Sequence, residues 1–176
     1  MLAECRVFKS AAEIIAMKQA YKMAAEGHME AMRACKPGIR EDEVAAAFVK
    51  HCSVNYNQKL LAYPPIVCSG RRCSILHYFE NKEIIPPEAM ILTDMGMSLQ
   101  HYASDITTSF PANGKFTTKQ REIYNIVLRA NRKLQQAARP GVMWTEMQLL
   151  AEREVLRGLQ ELGIIKEAAD IEELVK

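Results

Sequence analysis

The phrase Lys36-Pro37-Gly38-Ile39, followed by Glu43, returns as Arg139-Pro140-Gly141-Val142 followed by Glu146, with an offset of 103 residues at both points (140 minus 37, 146 minus 43). Proline removes a backbone donor and clashes with the preceding turn, and glycine follows helix ends readily, so each copy stops one helix and introduces another. A helix–Pro-Gly–helix unit used twice restricts the chain to a duplicated architecture. It also sets a length: extended segments follow the first copy from about 61 to 110, so their counterparts belong at about 164 to 213. The chain has 176 residues. The expectation is a complete first half at 1–116 and only the opening of a second at 117–176, without its sheet.

Helical texture surrounds both copies. Ser10 and Glu13 form an S-x-x-E capping box, behind which Ile14, Met17, Tyr21, Ala24, Ala25 and His28 recur at helical spacing. A second helix is predicted from Glu41 to Cys52, acidic in its first turn as the helix dipole favours. Short apolar runs then read as strands: Ile66 to Cys68, Ser74 to Tyr78, Met90 to Asp94, and Tyr102 to Phe110. After Asn113-Gly114, Thr117 with Gln120 caps a third helix, and Thr145 with Gln148 is read as capping a fourth. The fold class is α/β (α+β), with a small, mainly antiparallel sheet.

Composition excludes several functions. A net charge of +2 is too small to argue for nucleic acid or an anionic membrane surface. No apolar run approaches the roughly 20 residues needed to span a bilayer, and the N-terminus lacks the apolar stretch of a signal peptide. The five cysteines are odd in number and form no C-x-x-C pair, which argues for reduced, structural thiols and a cytoplasmic location.

Two aspartates carry the chemistry. Asp94 ends the apolar run Met90-Ile91-Leu92-Thr93, and Asp105 follows after ten intervening residues in Ala103-Ser104-Asp105-Ile106-Thr107. The spacing suggests a hairpin in which 94 faces 105 and 97 faces 102, with the turn near Leu99-Gln100. Directly opposed residues share a face with Cβ atoms about 5 Å apart. Like charges that close drive one carboxyl to hold its proton unless a cation lies between them, and hard divalent ions favour all-oxygen sites. Alone, either residue would read as a strand-end cap of backbone amides. Paired, they point to metal.

The surrounding phrases carry a family resemblance. Thr93-Asp94-Met95-Gly96, Ala103 to Thr107, and Phe110-Pro111-Ala112-Asn113-Gly114-Lys115-Phe116 resemble the first metal-binding hairpin of Xaa-Pro dipeptidases (prolidases) and aminopeptidases P. Ser69-Gly70, Ile75-Leu76-His77-Tyr78 and the opening Arg6-Val7-Phe8-Lys9 are similar to the same family, so the likeness runs from about residue 5 to 165. The resemblance implies a pita-bread fold, two pseudo-symmetric halves around a dinuclear site. It implies Asp94 and Asp105 as metal ligands, with Asp105 bridging both ions. His77 becomes a catalytic residue that also binds substrate, and Ile66 part of the substrate pocket. The metals implied are two divalent ions, Mn²⁺ first, with Co²⁺ or Zn²⁺ as alternatives. The substrates implied are dipeptides or short peptides with proline second, hydrolysed by a metal-activated water. Without the resemblance, His77 would read as a satisfied core histidine and Ile66 as core packing. His101 reads as an exposed turn residue, and His28 and His51 as helical residues far from the strands; none of these three receives a role.

Two departures qualify that picture. Arg71-Arg72 stands where the family usually has Glu-Asn. The family's remaining ligands, a histidine and two glutamates, belong to its second half, and this sequence has no histidine after His101. The expectation is a chain that lacks the family's separate N-terminal domain and its later ligands, binds metal weakly and is inactive alone. Bare strand edges and apolar faces further predict self-association or a homodimer. Two alternatives stay open: a methionine aminopeptidase relative, against which the Phe-Pro-Ala-Asn-Gly-Lys-Phe phrase argues, and a non-catalytic protein-binding module.

Overall fold

A computed structural model describes residues 2–166 and 170–175. The chain divides into two compact units, Met1–Lys115 and Phe116–Lys176. In the first, a short helix α1 (Leu2–Val7) precedes two long helices, α2 (Ala11–Ala34) and α3 (Glu41–Tyr56). Strand β1 (Ile66–Ser69) runs into a 3₁₀ turn (Gly70–Ser74), and β2 (Met90–Met95), β3 (Ser98–Leu99), β4 (Tyr102–Ala103) and β5 (Ile106–Pro111) follow. The antiparallel order is β1-β2-β5, with β3 and β4 continuing the hairpin beyond it.

Alternation along β2 decides what each face does. Ile91, Thr93 and Met95 are buried beneath α2 and α3, in a core with Met23, Ala24, Val44, Phe48 and Val67. Met90, Leu92 and Asp94 point the other way, as period-two geometry requires, and there Leu92 joins Ile66, Cys68, Cys73 and Tyr78 in a smaller cluster. One face therefore anchors the sheet, leaving the opposite face to carry Asp94.

The repeat is visible in the backbone. Gly38 and Gly141 adopt nearly equal left-handed conformations, φ +89° and +92°. Two residues later comes each N-cap, Arg40 and Met143, and the repeated glutamates Glu43 and Glu146 reach back to those amides at 3.0 and 3.3 Å. The capping boxes at Ser10/Glu13 and Thr117/Gln120 also form, opening α2 and α4 (Thr118–Ala137). These caps are 107 residues apart (117 minus 10), four more than the Pro-Gly copies. The difference equals that between the 24 residues of α2 and the 20 of α4, about one helical turn. In the second unit α4 packs on α5 (Trp144–Glu161) around buried Ile126, Ala130 and Glu154, with a short α6 (Ile171–Leu174) against α5.

Several expectations need correction. Residues Ser74–Tyr78 form the end of the 3₁₀ turn and a loop, because side chains already occupy the outer edge of β1. Asn81 Oδ1 accepts from Val67 N at 2.7 Å, and Glu41 Oε1 accepts from Ser69 N at 2.8 Å. The α5 helix begins at Trp144 with Met143 as N-cap, so Thr145 lies inside its first turn and forms no box with Gln148. The run Tyr102–Phe110 is two strands. Helix α3 continues four residues past Cys52 to Tyr56. Among the described residues from 164 onward, where the repeat would place strands, there is a short helix, α6. Residues 167–169 of that stretch lie outside the described residues.

Candidate metal centre

Asp94 pairs with Thr107, not with Asp105. The hairpin register is two residues later than the predicted one, because its two-residue turn is Gln100-His101, with φ +51° and +68°. Positive φ at both central positions is a type I′ arrangement, which normally announces itself through Asn or Gly. His101 is exposed in that turn, as expected. Asp105, two residues before Thr107, is thus a diagonal neighbour of Asp94 on the same face, at a typical separation of about 7–8 Å.

The two carboxylates nevertheless share a partner. The Tyr63 hydroxyl lies 2.6 Å from Asp94 Oδ1 and 3.1 Å from Asp105 Oδ1. Burial and the hydrogen bond to Asp94 push the phenol well above its ordinary value, so it remains a donor throughout the neutral range. Tyr63 is delivered by backbone pairing: Ala62 N donates to Gly96 O at 3.0 Å, and Ser98 N donates to Leu60 O at 2.9 Å. Pro64-Pro65 follows and holds the chain extended.

Gly96 makes this approach possible. A Cβ there would lie 2.0 Å from Ser104 O and 2.8 Å from Tyr63 Cε1. Buried Ser104 interrupts the regular ladder, because Met97 N donates to Ser104 Oγ at 2.9 Å while Ser104 N donates to Met97 O, also at 2.9 Å. That local change separates β2/β5 from β3/β4, one rung beyond Asp105.

Ile66 stands directly opposite Asp94 in the β1–β2 register and shares its face; it is 95% buried in the smaller cluster (5% exposed). His77 occupies the loop after the 3₁₀ turn with φ +54°, its ring stacked on Phe79 at 6.0 Å between centroids. It is exposed, unlike a satisfied core histidine.

His28 is a correction. Far from being remote from the strands, it is buried against them: Nδ1 lies 3.2 Å from Thr93 Oγ1 and 3.3 Å from Thr108 Oγ1, and Nε2 lies 3.0 Å from Met95 O. It therefore fastens β2 and β5 from behind the face that carries Asp94. His51 lies on α3 beside Asn55 and Glu26. Glu41, absent from the sequence reading as a site residue, is fully buried and accepts from Ser69 N, Ser69 Oγ, Tyr78 Oη and Glu83 N. These bonds tie α3 to β1 and to the loop that holds His77.

Two aspartates on one face fit a hard divalent ion as ligands, since both supply anionic oxygen. Among the described residues, no group of three or more His, Cys, Asp or Glu side chains is placed to hold a metal ion.

Comparison with known proteins places this geometry. Proline aminopeptidase P II from Yersinia pestis superposes with a TM-score of 0.93 at 40% identity, over 99% of this chain and 39% of that one. Escherichia coli aminopeptidase P with the inhibitor Pro-Leu superposes at 0.92 with 38% identity, over 98% of this chain and 38% of that one. The architecture is thus that of the N-terminal part of the pita-bread fold. Metallopeptidase family M24 matches residues 15–168, and the chain belongs to that family. It is 39% identical to the Xaa-Pro dipeptidase of Homo sapiens over 173 residues, which is 96% of this chain and 35% of the dipeptidase. A probable Xaa-Pro aminopeptidase of Botryotinia fuckeliana is also 39% identical over 173 residues. The chain spans little more than a third of the curated relatives it matches. No helix among the described residues is long and apolar enough to cross a membrane.

Proposed function

We propose that this chain carries the first ligands of a dinuclear Xaa-Pro peptidase and is inactive without the later ones. The observation that supports this most is the convergence of Asp94 and Asp105 on the Tyr63 hydroxyl. Asp94 and Asp105 hold the ions, Mn²⁺ in the first instance, and Tyr63 orients both carboxylates. Bound divalent ions supply a water that ionises near neutral pH and polarise the scissile carbonyl. His77 hydrogen-bonds the peptide and handles a proton from its left-handed loop, a backbone strain of the kind that functional loops retain. Ile66 gives an apolar wall beside Asp94. The first unit is then the first half of the catalytic domain, and the second unit opens the other half. The substrates are short peptides with proline second, and the compartment is the cytoplasm. Exposed apolar side chains such as Val127 and Trp144 favour self-association.

Calorimetric titration with Mn²⁺, alongside hydrolysis of an Xaa-Pro dipeptide, tests the reading. The expected result is weak binding that Asp94→Asn or Asp105→Asn abolishes, with no turnover by the 176-residue chain. Nanomolar affinity, or binding indifferent to both substitutions, would defeat it. So would absent turnover in the longest native chain supplied with Mn²⁺.

A further inference from the structure

We propose that Cys68 and Cys73 are a redox-active dithiol that a peroxide closes into an intrachain disulfide. The two residues occupy consecutive elements, β1 and the 3₁₀ turn, and sit in one apolar cluster with Ile66, Leu92 and Tyr78. Cys73 Sγ lies 3.3 Å from Cys68 O and 3.5 Å from Met90 O, and Cys68 Sγ lies 3.7 Å from Leu92 O. The Cys73 thiol is therefore folded back onto Cys68 within one cluster, whereas Cys5 is exposed on α1 and Cys52 donates to Met23 O within the main core.

Their environments differ in a way that sets the order of events. Cys68 is 1% exposed, whereas Cys73 is only partly buried. The neighbouring Cys68 thiol holds Cys73 below its ordinary value, while Cys73 and burial push Cys68 up. The thiolate is the nucleophile, so Cys73 reacts first. Its sulfur attacks one peroxide oxygen; the S–O bond forms, the O–O bond breaks, and the leaving oxygen takes the proton released by Cys73. Cys68 then attacks the Cys73 sulfur, forming S–S and breaking S–O, and the hydroxide leaves as water with the Cys68 proton. With hydrogen peroxide the balance is two thiols and one peroxide in, one disulfide and two waters out. A small-molecule dithiol reductant reverses the bond.

The bond would fix the turn that carries Arg71 and Arg72. That turn forms one wall of a groove of about 880 Å³, with Ser69, Ile75 and residues 86–89 completing it. Oxidation would thereby pin the groove wall to β1 and restrain the loop that leads to His77.

Peptide mapping of the native chain after hydrogen peroxide treatment tests this. Trypsin cuts after Arg71 and Arg72, so Cys68 and Cys73 fall on separate peptides and their bond appears as a linked pair lacking two hydrogens. The expected product is that pair, reversed by dithiothreitol, with Cys35 and Cys52 still alkylatable after unfolding. In Cys68→Ser, Cys73 should stop at a sulfenic acid trapped by dimedone. In Cys73→Ser, Cys68 should remain a thiol at the same dose. Both residues unchanged at a dose that fully oxidises Cys5 would overturn the proposal. So would Cys73 sulfenic acid without linkage in the native chain, or linkage of Cys68 to another cysteine.

Discussion

The hydroxyl of Tyr63 stands 2.6 Å from Asp94 Oδ1 and, at 3.1 Å, also reaches Asp105. Two carboxylates on one face repel, and a shared donor offsets part of that repulsion without a metal. Tyr63→Phe keeps the ring and removes the donor. Hydrogen bonds to charged groups are worth about 1.5–3 kcal/mol, so urea denaturation should show a loss in that range. A double-mutant cycle with Asp94→Ala should give a non-zero coupling energy, because the two side chains are in contact. Strict additivity would separate Tyr63 from the aspartates.

Gly96→Ala should be more damaging. The new methyl would meet Ser104 O at 2.0 Å, a backbone atom that cannot turn aside, and Tyr63 Cε1 at 2.8 Å. Overpacking costs about 1–3 kcal/mol and occasionally more, and the backbone contact favours the upper end. Mn²⁺ binding should weaken as well, since relief requires Tyr63 or the Ser104–Asp105 segment to move. A variant with wild-type stability and metal affinity would show that the hairpin opens freely here.

Local signals were readable wherever their cause was local. The capping residues Ser10, Glu13, Thr117 and Gln120 identify helix starts because each box is built from its own four residues. The Pro-Gly repeat revealed duplicated helix pairs because Gly38 and Gly141 must take the same left-handed turn. Register was not readable: Gln100-His101 takes positive φ without the residues that usually advertise it. The false strand at Ser74–Tyr78 shows the same limit, since Asn81 and Glu41 fill the β1 edge from distant points in the chain. Tyr63 had no sequence signal beyond an aromatic before two prolines. His28 did have one, a histidine at helical spacing within an apolar stripe, but its partners on β2 and β5 lie 65 to 80 residues away.

Glu41→Gln isolates the buried carboxylate. Its two oxygens accept from Ser69 N and Oγ on one side and from Tyr78 Oη and Glu83 N on the other. An amide turns one of those oxygens into a donor, so a backbone N–H, that of Ser69 or of Glu83, then faces an NH₂ group, while the hydroxyl beside it can turn to accept. Each buried group left unsatisfied costs about 1–3 kcal/mol. The Tyr78 phenol, pushed up to about 12 by burial and by Glu41, should titrate at lower pH in the variant. Ultraviolet difference spectroscopy follows that ionisation, and an unchanged midpoint would count against the contact.

His28 makes the sheet sensitive to acid. Burial holds its imidazole below the ordinary 6.5, with the Met95 carbonyl and the Asp94 charge pulling the other way. In the unfolded chain the ring gains a proton as pH falls through about 6.5, whereas in the folded chain it resists until lower pH. The unfolded state therefore binds more protons in that window. The stability His28 contributes is complete above 6.5 and is lost as pH falls toward the folded value. Protonation also forces both ring nitrogens to donate, which the Met95 carbonyl accepts readily but which fixes the roles of Thr93 and Thr108. Denaturation measured between about pH 5 and 8 should show a declining limb, and His28→Gln should flatten it while lowering stability at the alkaline end. Because His28 grips Thr93 and Met95 on either side of Asp94, the same variant should weaken Mn²⁺ binding at neutral pH, where the ring is uncharged. An unaltered acid limb would assign the sensitivity to another group.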